Sequence, residues 1–485
     1  MYQRKESAKN TYYPSFLCME VDTPDYLDAL MRIPFDERTE AAFLHEYIHY
    51  LQDLTTVSGN ARIETIVDQV KWIVGDVARR KKKLKLPLNP NNTWAYNMKP
   101  NASSLKLCKG DFKVKDRFGN DITPNIVTPV SFSLVNVTIN LAHGTHVKGG
   151  AQAIFVFQDQ NGTEYKYAVG ELAISESMAY LIENYIYTDV LAKGGDCPYM
   201  VVQKITEYKL GRMLDDLSLI AICDICLMYS LPGNALYYLL GELQTISCQI
   251  TPALIYLIGL GPTIGNRFRR DMPWNCEYMK TNSLAKKQMC DYFTHPYWKQ
   301  IETIVGRTFD DVLAYRTKRP TLFLDIACGG RLFRNEAFKT TIGTLGCLSV
   351  KTSADLVYNF LPRSCEGLEV DADWFLCLHQ FYNLMFTSDA VRTDPHGNKY
   401  LEKECELKQW CHNCFTKKGE SDLTMTSYNC KRSPWLNTSP DEMAQCIKHH
   451  WNALHAKRQM TEPKLKFPLA RGLAGPVVLL WKDDY

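Results

Sequence analysis

The residues best suited to chemistry lie in AAFLHEYIHYLQDL, residues 41–54, where His45, Glu46 and His49 spell an HExxH pattern. Each helical residue turns by about 100°, so His45 and His49 project within roughly 40° of each other, one turn apart. Both imidazoles can then reach one ion at about 2.0–2.1 Å. Glu46 is adjacent to the first histidine but rotated off it, so it can address a water held by that ion without ligating it. Two nitrogen ligands and one carboxylate base are the division of labour a hydrolytic zinc site needs. The competing reading is two core histidines with a capping or surface glutamate.

Two histidines leave such a site one protein ligand short. A metzincin would continue with a glycine and a third histidine, where this chain has Gln52 and Thr55. An aspzincin wants GTxxD, which GTHVK, GTEYK and GTLGC do not supply. A glutamate on a second helix with a small residue three positions on remains, and ISESMAYLIE offers it as Glu176 and Ala179. The small Ala179 would let the two helices approach closely. Glu171, Glu183, His143 and His146 are the other candidates for third ligand.

With these motifs the chain resembles the gluzincin metallopeptidases, the thermolysin-like zincins. The resemblance covers the HEYIH helix, the ESMA helix and the sheet between them. It implies zinc held by His45, His49 and Glu176, with Glu46 as the general base that takes a proton from water and passes it to the leaving amine. It also implies a protein or peptide substrate, bound extended along a sheet edge; residues 151–157 or 164–169 would offer that edge. The chain departs from the thermolysin branch in the long interval between HEYIH and Glu176, and in a sheet that follows the HExxH helix. The developing oxyanion needs a positioned donor. Tyr180, one turn after Glu176, could supply it or orient a ligand, and His146 of HGTH (143–146) is the other candidate, though that stretch also reads as an exposed turn. Asp53, one turn beyond His49, reads equally as a group holding a ligand imidazole or as a solvated side chain.

The elements that must position these residues are legible in the hydrophobic periodicity. Phe43, Leu44, Tyr47, Ile48, Leu51 and Leu54 recur at helical steps from about Asp36 to Ser58, and Gly59 reads as the stop. A second helix spans about 62–80 and ends in a basic run, read as a solvated helix end. Residues 24–34 and 87–128 read as irregular, the latter as a long insertion. Period-two patterns at 130–141, 151–157 and 164–169 predict three strands, the last two joined through Asn161-Gly162. Helical patterns follow at 170–187, 201–230, 233–247, 283–305, 353–390 and 440–457. The expected fold is α+β and mostly helical, with a zincin-like core, a small antiparallel sheet and a helical C-terminal region. The division would fall into a metallopeptidase domain at 1–315 and an accessory region at 316–485.

Two further motifs lie in that C-terminal region. Cys405, Cys411, Cys414 and Cys430 surround a single CxxC and could hold a second, structural zinc, with His412 a substitute for one thiolate; unligated thiols are the alternative. LFLDIACGGR (322–331) looks like the glycine motif of a methyltransferase, but Arg331 stands where another glycine belongs, so a buried strand or turn is the simpler reading.

Composition narrows the classes. The chain has 485 residues, 46% hydrophobic, with Lys+Arg 56 against Asp+Glu 53. That near balance gives no reason to expect a nucleic-acid or membrane binder. Its 17 cysteines are an odd number spread over a long chain, which argues for reduced thiols rather than a disulfide scaffold. No signal-like N-terminus and no uninterrupted apolar span are present, so a soluble, cytoplasmic protein is expected. The reading is therefore a zinc-dependent peptidase, with a non-catalytic, metal-stabilised interaction protein as the alternative.

Overall fold

In the computed structural model the described residues are 10–23, 34–67, 107–111, 114–115, 121–122, 127–140, 146–188, 196–268, 273–292, 299–353, 357–368, 391–393 and 399–401. The chain opens with two short strands, β1 (Thr11–Tyr13) and β2 (Cys18–Val21). The HExxH helix follows as α1, Glu37–Thr55, starting close to the expected bound and ending a few residues before it. Asp36 caps it by accepting the Thr39 N–H at 3.1 Å. Gly59 is not a stop. After a bend at Thr56 a second helix, α2, covers 57–67, and a Cβ on Gly59 would lie 2.3 Å from the Gln52 carbonyl oxygen. Only glycine lets α2 fold back this tightly on the last turns of α1.

Within the expected insertion, 107–109 form one helical turn, and β3 (Val114–Lys115) pairs with β4 (Asp121–Ile122). The three predicted strands are present as β5 (Thr128–Asn140), β6 (His146–Gln158) and β7 (Glu164–Ala168), antiparallel in the order β5-β6-β7. Gly162 takes a positive φ of 76° in the β6–β7 turn, as the Asn-Gly pair requires. This order corrects the expected binding edge at 151–157, because β6 is central. The β7 edge is closed at its end: Asp111 N–H donates to the Ala168 carbonyl at 2.7 Å and the Asp111 carboxylate accepts the Ala168 N–H at 2.9 Å.

The ESMA helix is α3, Glu171–Ile186. Beyond the short helical turn Asp196–Tyr199, the single helix expected at 201–230 is two: α4 (Val201–Leu210), ended by left-handed Gly211, and α5 (Asp216–Leu227), started by the Asp215 cap. Then come α6 (Pro232–Gln244), α7 (Pro252–Gly259), α8 (Pro262–Arg267), α9 (Trp274–Tyr292), α10 (Lys299–Lys318), α11 (Leu322–Cys328) and α12 (Glu336–Leu345). The segment expected as one helix at 283–305 belongs to both α9 and α10. α11 replaces the strand or turn expected in LFLDIACGGR, so the strand-then-glycine logic of a methyltransferase is not built here. Two strands close the described core, β8 (Cys347–Thr352) and β9 (Val357–Phe360). β9 and a 3-10 turn at Arg363–Cys365 stand where a helix beginning at 353 was expected.

The sequence patterns missed the two-stranded pairings β3-β4 and Val391–Thr393 with Lys399–Leu401, and a four-stranded sheet, ordered β1-β2-β8-β9, in which β2 and β8 pair in parallel. It joins the first residues of the chain to residues beyond 345, and its strands are too short for a period-two signal. The expected boundary at 315/316 accordingly falls inside α10, and the residues after it pack on the HExxH helix. Phe338 of α12 sits edge-on to Tyr47 at 5.4 Å, Tyr47 Oη donates to the Gly346 carbonyl and Tyr50 Oη to that of Leu345. Arg331 reaches back to Glu37 at 2.7 Å, Glu40 at 3.1 Å and the Phe35 carbonyl at 3.0 Å, fixing the entry of α1. Buried on nearly every side from Glu40 onward, α1 is a core helix against which α3, α10, β1 and β2 pack. No helix among the described residues is long and apolar enough to cross a membrane.

Candidate metal centre

α1 and α3 lie side by side, and their facing stripes carry the predicted ligands. His45, His49 and Gln52 fall within roughly 60° around α1 and look toward α3. Ala179, three residues past Glu176 on α3, is fully buried. His45 Nε2 and His49 Nε2 are 3.2 Å apart, and Glu176 Oε2 lies 3.5 Å from the first and 3.6 Å from the second. Among the described residues these three form a group able to hold a metal ion, their ligand atoms within 4.8 Å of one another. A tetrahedral ion with bonds of about 2.0–2.1 Å needs ligand atoms about 3.3–3.4 Å apart. The three separations straddle that value, so the donor set fits.

The far side of each imidazole fixes which nitrogen faces the ion. His45 Nδ1 is 2.8 Å from Glu183 Oε2. An ionised carboxylate only accepts, so Nδ1 carries the proton and Nε2 keeps its lone pair for a metal. Gln52 does the same for His49: its Nε2 donates to the Ser175 carbonyl at 3.0 Å, leaving its Oε1 to accept from His49 Nδ1 at 2.8 Å. Gln52 thus also ties α1 to α3.

Electrostatically the group is built for positive charge. Burial opposes a charged His45, yet Glu183, Glu176 and Glu46 together hold its pKa well above the ordinary imidazole value. Burial likewise opposes ionised Glu176, and His49 and His45 hold its carboxyl well below the usual carboxylate range.

Glu46 is buried on the neighbouring stripe of α1, with Oε2 accepting the Tyr12 N–H at 2.6 Å. Tyr180 and Tyr199 flank the group: the Tyr199 ring is 6.5 Å from that of His45, and Tyr180 lies 5.5 Å from Tyr199. His146 opens β6 opposite Asn140, seven residues or roughly 23 Å of strand from Ala153, the residue that receives Val169 N–H at the entry to α3. Its side chain, His143 and the whole Cys405–Cys430 cluster lie outside the described residues.

Three other readings are corrected. Asp53 neither holds a ligand imidazole nor meets solvent. It is fully buried, paired with Arg62, and accepts the Tyr12 hydroxyl at 2.7 Å. Glu171 is taken by the other side of Arg62 at 2.7 Å, which removes it as a third ligand. Glu183 stands behind His45 rather than beside Glu176. It lies two turns past Glu176 on the same stripe of α3, and Gln52 lies one turn past His49, so helical spacing could have found both. Tyr12, Arg62 and Tyr199 come from other elements and carry no local signal.

No known protein family, curated protein or solved structure matches the chain.

Proposed function

We propose that the chain is a zinc-dependent metallopeptidase of gluzincin type, acting on a protein or peptide substrate. The observation that carries this reading is the convergence of His45, His49 and Glu176 at tetrahedral ligand spacing, with both Nδ1 atoms engaged and both Nε2 atoms turned to a common point. Two imidazoles and a carboxylate are a donor set suited to catalytic zinc. A zinc ion bound there supplies Lewis acidity, polarising a carbonyl and acidifying a water. Glu46, one position from His45 but on the adjacent stripe, would accept the proton of the attacking water as its oxygen bonds the carbonyl carbon, and would pass that proton to the amine as the C–N bond breaks. Tyr180, one turn past Glu176, and Tyr199, whose ring lies 6.5 Å from that of His45, would be the donors to the oxyanion that develops on the former carbonyl oxygen.

Elemental mass spectrometry on the purified chain tests the metal. About one zinc per chain is expected, retained in Glu46→Gln and lost in His49→Ala and Glu176→Ala. Digestion of a proteome-derived peptide library, read by mass spectrometry, tests the chemistry: wild type cleaves and Glu46→Gln does not. Zinc that survives both ligand substitutions overturns the site. A zinc-loaded wild type that cleaves nothing turns the reading to an interaction protein stabilised by its metal.

A further inference from the structure

α1 carries a second polar stripe beside the histidines. Glu46 and Asp53 lie two turns apart and only roughly 20° from each other around the helix. One residue of an edge strand touches both. Tyr12, in β1, donates its main-chain N–H to Glu46 Oε2 at 2.6 Å and its hydroxyl to Asp53 Oδ2 at 2.7 Å. Asp53 also accepts the Ser15 N–H at 2.6 Å, and it pairs with Arg62, which holds Glu171 of α3 at 2.7 Å. Among the described residues β1 lies at the edge of its sheet, and the Tyr12 N–H goes to Glu46.

We propose that Tyr12 is a positioning residue for Glu46, which makes the N-terminal strand part of the working site; this rests on Glu46 being the general base. A glutamate has three rotatable side-chain bonds, and a base must hold within hydrogen-bond reach of the water it deprotonates. The Tyr12 N–H holds Glu46 Oε2 at 2.6 Å, which limits the rotation of that carboxylate. The hydroxyl end prevents β1 from drifting, because Asp53, Arg62 and Glu171 form a buried ionic tie between α1 and α3, the same two helices that carry the ligands. Base and ligands are therefore referred to one frame.

The test uses the full chain loaded with Co²⁺, whose visible absorption reports ligation. The probe is acetohydroxamate, which chelates a metal and passes its hydroxyl proton to a neighbouring carboxylate. Tyr12→Ala keeps the main-chain N–H and loses the hydroxyl; Tyr12→Pro loses both, and proline is tolerated at an edge strand. Cobalt content should be unchanged in both. Relative to wild type, Glu46→Gln and Tyr12→Pro should each weaken acetohydroxamate about tenfold or more, and Tyr12→Ala only a few-fold. Wild-type affinity in Tyr12→Pro, with affinity lost in Glu46→Gln, overturns the role of Tyr12 and leaves the metallopeptidase reading standing. Wild-type affinity in Glu46→Gln, or no cobalt uptake by wild type, overturns that reading and this one with it. Should Tyr12→Pro not fold, hydrogen exchange reads the same bond: the Tyr12 amide should be protected in wild type and exchange at least tenfold faster in Glu46→Ala, and equal rates overturn the proposal.

Discussion

Two charged clusters bridge α1 and α3, and they differ in where their positive charge comes from. At one, Arg62 lies between Asp53 and Glu171, so a buried cation is built into the chain. At the other, His45, His49 and Glu176 converge, with Glu183 behind His45 and Glu46 on the neighbouring stripe of α1. Burial penalises unpaired charge at both. The first cluster is complete as folded and serves as a brace. The second has the same helices, similar burial and an excess of acceptors. On the proposed reading, a metal ion bound by His45, His49 and Glu176 would be the exchangeable cation of the second cluster.

The largest effect should come from breaking the brace. Arg62→Leu leaves Asp53 and Glu171 buried without their cation and should cost about 3–5 kcal/mol in urea unfolding at neutral pH. Burial already pushes the Glu171 carboxyl up against the opposing Arg62 charge, and removing that charge should raise it further. The neutral form of Glu171 is then favoured in the fold, so the deficit should shrink as pH falls through the carboxylate range and grow as it rises. A deficit independent of pH would show that Arg62 matters by packing alone. Breaking the metal cluster should act differently. Wild type should gain about 2.7 kcal/mol when free zinc is about 100 times its Kd, and Glu176→Ala should gain nothing while keeping near-wild-type stability in chelator. Arg62→Leu should still gain from zinc if it folds. Equal responses of the two variants to zinc would erase the distinction between brace and site.

How much of this was legible in the sequence follows from the same geometry. HEYIH and ESMA are local patterns on long amphipathic helices, so both helices and the triad His45, His49 and Glu176 could be named from spacing. The three strands of 128–168 were legible because their alternation is long and their turn is Asn-Gly. The β1-β2-β8-β9 sheet was not, since strands of three to six residues joined across the length of the chain leave no period. Asp53 was misjudged for a related reason: its partners Arg62, Tyr12 and Ser15 arrive from α2 and from that unseen sheet. A carboxylate one turn past a ligand looks like a ligand's support until the fold supplies a guanidinium. The split of 201–230 was readable in Gly211 and Asp215, a left-handed stop and a cap, but continuous apolar spacing outweighed them.

The smallest effects should separate the two histidines. His45 is oriented by the carboxylate of Glu183, and His49 by the neutral amide of Gln52. Hydrogen bonds to a charged partner are roughly twice as strong as neutral ones, and loss of such supporting groups weakens metal binding about 10–100-fold. Glu183→Gln should therefore fall toward the upper end of that range, since it also removes a negative charge that favours the cation. Gln52→Met keeps length and burial, removes the bonds to His49 and Ser175, and should weaken zinc by about tenfold or less. Competition with a chromophoric chelator measures both. If Gln52→Met proved the worse, the contact from Gln52 to the Ser175 carbonyl would outweigh the rest, and the helix-to-helix register would matter more to the metal than the charge behind its ligand.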